Sequence, residues 1–147
     1  MEGFTIKGNG DFLTITFTEV FGFPDTTFHW GGYDVRVTLE IKSGDFAVKS
    51  AMYTSTGEIF NFYNELKKCN ESLFGTAKFI SYEGNLEFLA SYDTMGHVTI
   101  EGTFSKQNEF DNRLKFEFVT DQTFIRYSVE ELGLIADKYG DMKGVKK

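Results

Sequence analysis

Apolar residues recur at every second position along most of this chain, and twice the pattern gives way to a helical period. Leu13, Ile15 and Phe17 alternate with Thr14 and Thr16, and Tyr33, Val35, Val37, Leu39 and Ile41 alternate with Asp34, Arg36, Thr38, Glu40 and Lys42. Leu86, Phe88, Ala90 and Tyr92 repeat the pattern, as do Val98, Ile100 and Phe104, and Leu114, Phe116 and Phe118. Alternation of this kind sends successive side chains to opposite faces of a strand, leaving one face to bury. Segments around Phe4 and Ile6, around Phe46 and Val48, and over residues 74–81 complete a set of about eight strands. The links between them are short, Ser43-Gly44-Asp45 and Glu83-Gly84-Asn85 among them, which makes successive strands antiparallel.

The first change of period falls at Ile59, Phe62, Tyr63, Leu66 and Cys69, one face of a helix. Ser55 and Glu58 have the spacing of a capping box at its start, so the helix is expected over residues 56–69, with Asn70 as its stop. The second change carries Phe124, Ile125, Val129, Leu132, Ile135, Ala136 and Tyr139, beginning near Thr120-Asp121 or at the Ser128/Glu131 spacing and ending at Gly140. The order βββ-β-α-ββββ-α predicts an α+β fold: a mainly antiparallel curved sheet or two-sheet sandwich, with one mid-chain and one C-terminal helix closing the core. Residues 21–32 and 105–112 read as the longest turn-like stretches. No internal repeat or linker divides residues 1–147, which read as a single domain whose basic end, 138–147, is expected to fray.

Seventeen Phe and seven Tyr among 147 residues supply enough apolar area for one core without a disulfide or metal. The single cysteine, Cys69, offers no disulfide framework and sits on a helical apolar face, where it acts as a small hydrophobe. The N-terminus shows no basic segment leading into an apolar run, and no stretch approaches the roughly 20 apolar residues that span a bilayer, so a cytoplasmic protein without a membrane segment is expected. The net charge is −7, and because residues 138–147 sum to +3, residues 1–137 carry −10. Such a body repels nucleic acid and attracts basic partners.

Catalytic signatures are missing from the pattern. His29, His97 and Cys69 are too far apart for zinc-ligand spacing, so neither a metal nor another cofactor is expected. There is no Gly-x-Ser-x-Gly elbow, phosphate loop or dinucleotide fingerprint, and Lys7-Gly8-Asn9-Gly10 reads as a turn between strands. Glu40, Glu87, Glu101 and Glu117 each fall on the polar phase of a strand and would form an acidic stripe if those strands are neighbours. These four glutamates are candidate partner contacts; a solvated sheet face is the ordinary alternative, and a glycosidase pair would need a cleft and a separation of roughly 5–10 Å.

Residues 20–36 hold the only proline, Pro24, the only tryptophan, Trp30, and one of two histidines, His29. Pro24 restricts the backbone, and Gly31-Gly32 permit angles closed to other residues. Trp30 and Tyr33 are candidate anchors for a partner, and His29 and Asp34 candidate polar contacts. The same aromatics would equally serve to cover the core.

Phe21-Gly22-Phe23-Pro24, Gly31-Gly32-Tyr33-Asp34-Val35, Leu39-Glu40-Ile41, Ser55-Thr56-Gly57-Glu58, Gly96-His97-Val98 and Phe116-Glu117-Phe118-Val119-Thr120-Asp121-Gln122 occur in that order. In these landmarks the chain resembles the WapI-type bacterial immunity protein family, across nearly its whole length. The resemblance implies a non-enzymatic cytoplasmic antitoxin that binds and neutralises the C-terminal toxin domain of a secreted or wall-associated polymorphic toxin, a basic nuclease being one candidate. It does not identify the toxin or assign contact residues. Two other readings stand beside it: a small-ligand-binding domain with an aromatic-lined pocket, and a carboxylate-based hydrolase.

Overall fold

The alternating segments pair into two separate four-stranded antiparallel meanders, and a helix follows each one. The computed structural model describes residues 2–107 and 110–145. The first sheet contains β1 (Gly3–Lys7), β2 (Phe12–Val20), β3 (Asp34–Ser43) and β4 (Phe46–Ser55), in chain order. Helix α1 (Thr56–Ser72) leads to the second sheet, β5 (Thr76–Ile80), β6 (Leu86–Tyr92), β7 (His97–Gln107) and β8 (Asp111–Asp121), again in chain order, and α2 (Gln122–Tyr139) follows. The α+β class and the two-sheet arrangement are those the alternation predicts. The two halves repeat the order ββββα, as the change of period predicts, without an internal sequence repeat.

The inward rows of both sheets join one core. Phe4, Ile15, Val37 and Leu39 enter it from the first sheet, and Phe79, Phe88, Ile100 and Phe118 from the second. Phe62 of α1 lies between them, fully buried, with ring centroids 6.2 Å from Phe4, 5.9 Å from Phe79 and 5.1 Å from Phe88. Edge-on and tilted aromatic packing of this kind adds about 0.5–1.5 kcal/mol per pair to the burial itself.

Each helix also closes the first-strand edge of a sheet. Exposed strand edges carry unpaired amides and invite pairing with other chains, so they need cover. The Lys78 amide of β5 donates to Glu65 Oε1 of α1 at 2.9 Å, and the Thr5 amide of β1 donates to Glu131 Oε1 of α2 at 3.0 Å. Ser128 Oγ completes the second contact by donating to the Thr5 carbonyl at 2.6 Å. The Ser128/Glu131 spacing therefore does not start a helix; both residues serve the β1 edge from inside α2. The start lies at Asp121, whose Oδ1 accepts the amides of Thr123 and Phe124 at 2.9 and 3.0 Å.

At α1 the capping box forms as read: the Glu58 amide donates to Ser55 Oγ at 3.1 Å, and the Ser55 amide to Glu58 Oε1 at 2.9 Å. The far end differs from expectation. Asn70 stays helical, its Oδ1 accepting the Tyr92 hydroxyl at 2.7 Å, and the left-handed C-cap falls instead on Leu73, at φ 55°. The stretch 105–112 is also more regular than its composition suggests. Ser105 and Lys106 pair with Arg113 and Asn112, so β7 and β8 extend into it, while residues 108 and 109 lie outside the described residues.

Residues 138–145 lie against the body of the protein. Lys138 Nζ lies 3.1 Å from Glu2 Oε2, the Tyr139 hydroxyl donates to Glu2 Oε1 at 2.6 Å, and the Val145 amide donates to the Tyr33 hydroxyl at 3.0 Å. Residues 146 and 147 of the expected basic tail lie outside the described residues.

Two substitutions test the helix ends. A leucine in the left-handed region carries a steric cost that glycine does not, so Leu73→Gly should raise stability by about 0.5–1 kcal/mol, read as a higher urea midpoint. Ser55→Ala removes one half of the capping box and should lower stability by about 0.5–2 kcal/mol in the same assay.

Candidate functional site

The loop between β2 and β3 is the longest connection among the described residues, and its shape is imposed from below by Tyr33. That side chain is fully buried. Its amide donates to Thr56 Oγ1 at 2.7 Å while its carbonyl accepts the Thr56 amide at 2.8 Å, which ties the loop to the start of α1. Its hydroxyl donates to the Pro24 carbonyl at 2.9 Å and accepts the Val145 amide, so both roles of the hydroxyl are used. Phe23 packs edge-on to its ring at 5.2 Å. Tyr33 is thus corrected from candidate anchor to internal post: a ring with no exposed surface cannot enter a partner's pocket.

Gly31 and Gly32 bring the loop onto the helix. Both have positive φ, 100° and 66°, and a Cβ on Gly32 would collide with Thr56 Oγ1 and the Gly57 amide nitrogen. A Cβ on Gly31 would strike the Met142 side chain, and the Gly32 amide donates to the Met142 carbonyl at 2.7 Å. With the glycines seated, Trp30 is left outside, 52% exposed, next to the exposed ring of His29. Trp30 does not cover the core.

Four rings form a row, exposed at Trp30 and His29 and half-buried at Phe28 and Tyr82. Ring centroids are 5.2 Å apart for Trp30 and His29, 4.6 Å for His29 and Phe28, and 5.0 Å for Phe28 and Tyr82. The Tyr82 hydroxyl donates to Asp34 Oδ1 at 2.8 Å, ending the row on a carboxylate. Burial, followed by the Asp34 hydrogen bond and the negative charges of Asp34, Glu83 and Glu58, pushes the Tyr82 hydroxyl well above its usual range. Burial also raises the Glu58 carboxyl, against the pull of hydrogen bonds from Thr54, Ser55 and the Tyr82 amide. Among the described residues, no ion pair involves Asp34, Glu58 or Glu83.

The strand glutamates divide. Glu40 stands opposite Lys49 on the first sheet and does not join the others, because β3 and the strands carrying them belong to different sheets. Glu87, Glu101 and Glu117 share the outer face of the second sheet, with Glu101 directly opposite Glu117. Like charges so placed destabilise a sheet. Cations temper the stripe: Lys78 Nζ lies 3.7 Å from Glu87, and Lys115 stands opposite Thr103 in the row that contains Glu87.

Other concavities lie outside the core. A groove of about 450 Å³ runs between β1 and α2, lined by Thr5, Lys7, Phe124, Tyr127, Glu131 and Leu134 among others. Among the described residues, no group of three His, Cys, Asp or Glu side chains is placed to hold a metal ion, and no helix is long and apolar enough to cross a membrane.

Sequence reading selects Trp30, His29 and Asp34 but misses Tyr82, Glu83 and Met142. Tyr82 sits in the turn between β5 and β6, 48 positions from Asp34, and no local periodicity connects the two. An aromatic residue in a Gly-containing turn, Ser81-Tyr82-Glu83-Gly84, is the one signal available.

Neither curated proteins nor solved structures give a match to this chain. The family model described as the immunity protein WapI-like family matches residues 4–140, from the first strand through both sheets to the end of α2. With the match spanning both ββββα halves and the loop between β2 and β3, the chain belongs to the WapI-like immunity protein family.

Proposed function

We propose that this protein acts in the cytoplasm as a stoichiometric inhibitor, binding the toxin domain of a cognate polymorphic toxin and holding it inactive without catalysis. Membership of an immunity family supports a toxin partner in general. The observation that carries the binding reading is the preformed aromatic loop. Trp30 is exposed on a backbone fixed through Tyr33, Thr56 and Met142, so little ordering is required when it is buried by a partner. Exposed, rigid aromatics are the residues that dominate protein interfaces, since their large area comes at low entropic cost.

The ligand-binding reading gains less support, because Phe62, Phe79 and Phe88 pack against one another in the core instead of lining a cavity. The hydrolase reading gains little from Glu101 and Glu117, which are exposed on an open sheet face. A charge of −7 suits a basic toxin, a nuclease being one candidate.

Co-expression with the toxin domain encoded beside this gene should restore growth, and the purified pair should co-elute as a fixed-ratio complex. A toxin domain that neither binds nor is neutralised would refute the assignment. Association should also slow steeply between low salt and about 0.5 M, because a Debye length of about 10 Å at 0.1 M already screens separated charges. Stopped-flow mixing checks this, and a salt-independent rate would remove long-range steering from the account.

A further inference from the structure

The aromatic row has a directional chemistry. At one end stands the half-exposed indole of Trp30, and at the other the Tyr82 hydroxyl against Asp34. Glu83 projects from the same turn as Tyr82 and is exposed. Asp34 and Glu83 have no ion-pair partner among the described residues. Glu83 also lines an adjoining groove with Arg36, Tyr53, Asn85 and Lys106, where Lys106 Nζ already donates to Ser50 Oγ and the Ala51 carbonyl, each at 2.9 Å, so Glu83 stands between the aromatic row and two cations. The surface is therefore acidic and aromatic on the Trp30–Tyr82 side and basic on the far side of Glu83.

Resting on the toxin-binding reading, we propose that the row seats an arginine-bearing basic segment of the toxin, with guanidinium groups stacked on the exposed rings and paired with Asp34 and Glu83. Aromatic faces attract cations, and arginine uses them better than lysine because its planar, weakly hydrated group stacks while its edge donates to a carboxylate. The competing acidic surface fits such a segment less well. Glu87, Glu101 and Glu117 with Lys78 and Lys115 sum to −1, as do Asp34, Glu58 and Glu83 with Arg36 and Lys106, so the difference lies in the rings: the large exposed side chains near the former are aliphatic, Ile80 and Val119, and offer no face on which a guanidinium can stack. Arg36 bounds the docking surface by repelling the same segment from the groove beyond Glu83.

Because Trp30 is the only tryptophan in the chain, its fluorescence reports on this surface alone. Hexa-arginine, hexa-lysine and hexa-glutamate peptides are titrated into the full-length protein at 0.15 M salt. Hexa-arginine is expected to change the emission saturably and to bind several-fold more tightly than hexa-lysine, with no response to hexa-glutamate. Glu83→Gln, in an exposed turn, should weaken hexa-arginine binding by about three- to tenfold. Glu101→Lys changes the net charge more but lies on the outer face of the second sheet, and it should leave the titration unchanged. Equal effects of these two variants, or no saturable response to hexa-arginine, would overturn the proposal. The same fluorescence is then followed as the co-encoded toxin domain is added. If the toxin is neutralised while Trp30 emission and the affinity of Glu83→Lys stay unchanged, the inhibitor reading stands and this docking surface is refuted. If the toxin is not neutralised at all, the inhibitor reading itself falls.

Discussion

Two sheets with separate hydrogen-bond ladders are held together here by helices that each seal the first strand of a sheet. Helix α1 follows the first sheet and lies along β5 of the second, and α2 follows the second sheet and lies along β1 of the first. A glutamate from each helix satisfies an edge amide, Glu65 for Lys78 and Glu131 for Thr5. This contact does more than cover an aggregation-prone edge. It fixes the distance between helix and strand, and with it the space that Phe62 fills between Phe4 on one side and Phe79 and Phe88 on the other.

The same crossing places the loop. Once α1 is fixed along β5, its first turn becomes a platform at which Thr56 exchanges two hydrogen bonds with Tyr33. Ser55 and Glu58 cap that turn, and the chain after α2 arrives there as well, with Met142 against Gly31 and the Val145 amide on the Tyr33 hydroxyl. The loop is thus held by two segments distant in sequence. The exposed indole is carried on backbone that is already held, so less ordering remains when a partner buries it.

Charge distribution separates the two acidic surfaces in kind. On the second sheet the carboxylates lie on an open face among lysines, where salt and solvent screen them and each pair is worth little. Beside the loop, Asp34 is half-buried and tied to Tyr82, while Glu58 is buried enough for its carboxyl to be raised. Less screening there gives each charge a longer effective reach into a partner docked on the row.

By itself the sequence determined the periodicities, and hence the eight strands, two helices, short antiparallel links and capping box at Ser55/Glu58, because each depends on residues within a few positions of one another. The family was legible too, through landmarks whose order spans the chain. Helix ends with distant partners were not: Asn70 lies inside α1 with its side chain on Tyr92, and Ser128 and Glu131 are drawn to β1 across more than a hundred residues. Tertiary structure alone decided that Glu40 parts from the other glutamates, since alternation gives the face of a strand but not the sheet it joins. It also decided that Trp30 turns outward. Tyr33, in phase with Val35 and Val37, was already on the inward row, but its burial in full depends on Thr56, Pro24 and Val145, which satisfy its polar groups.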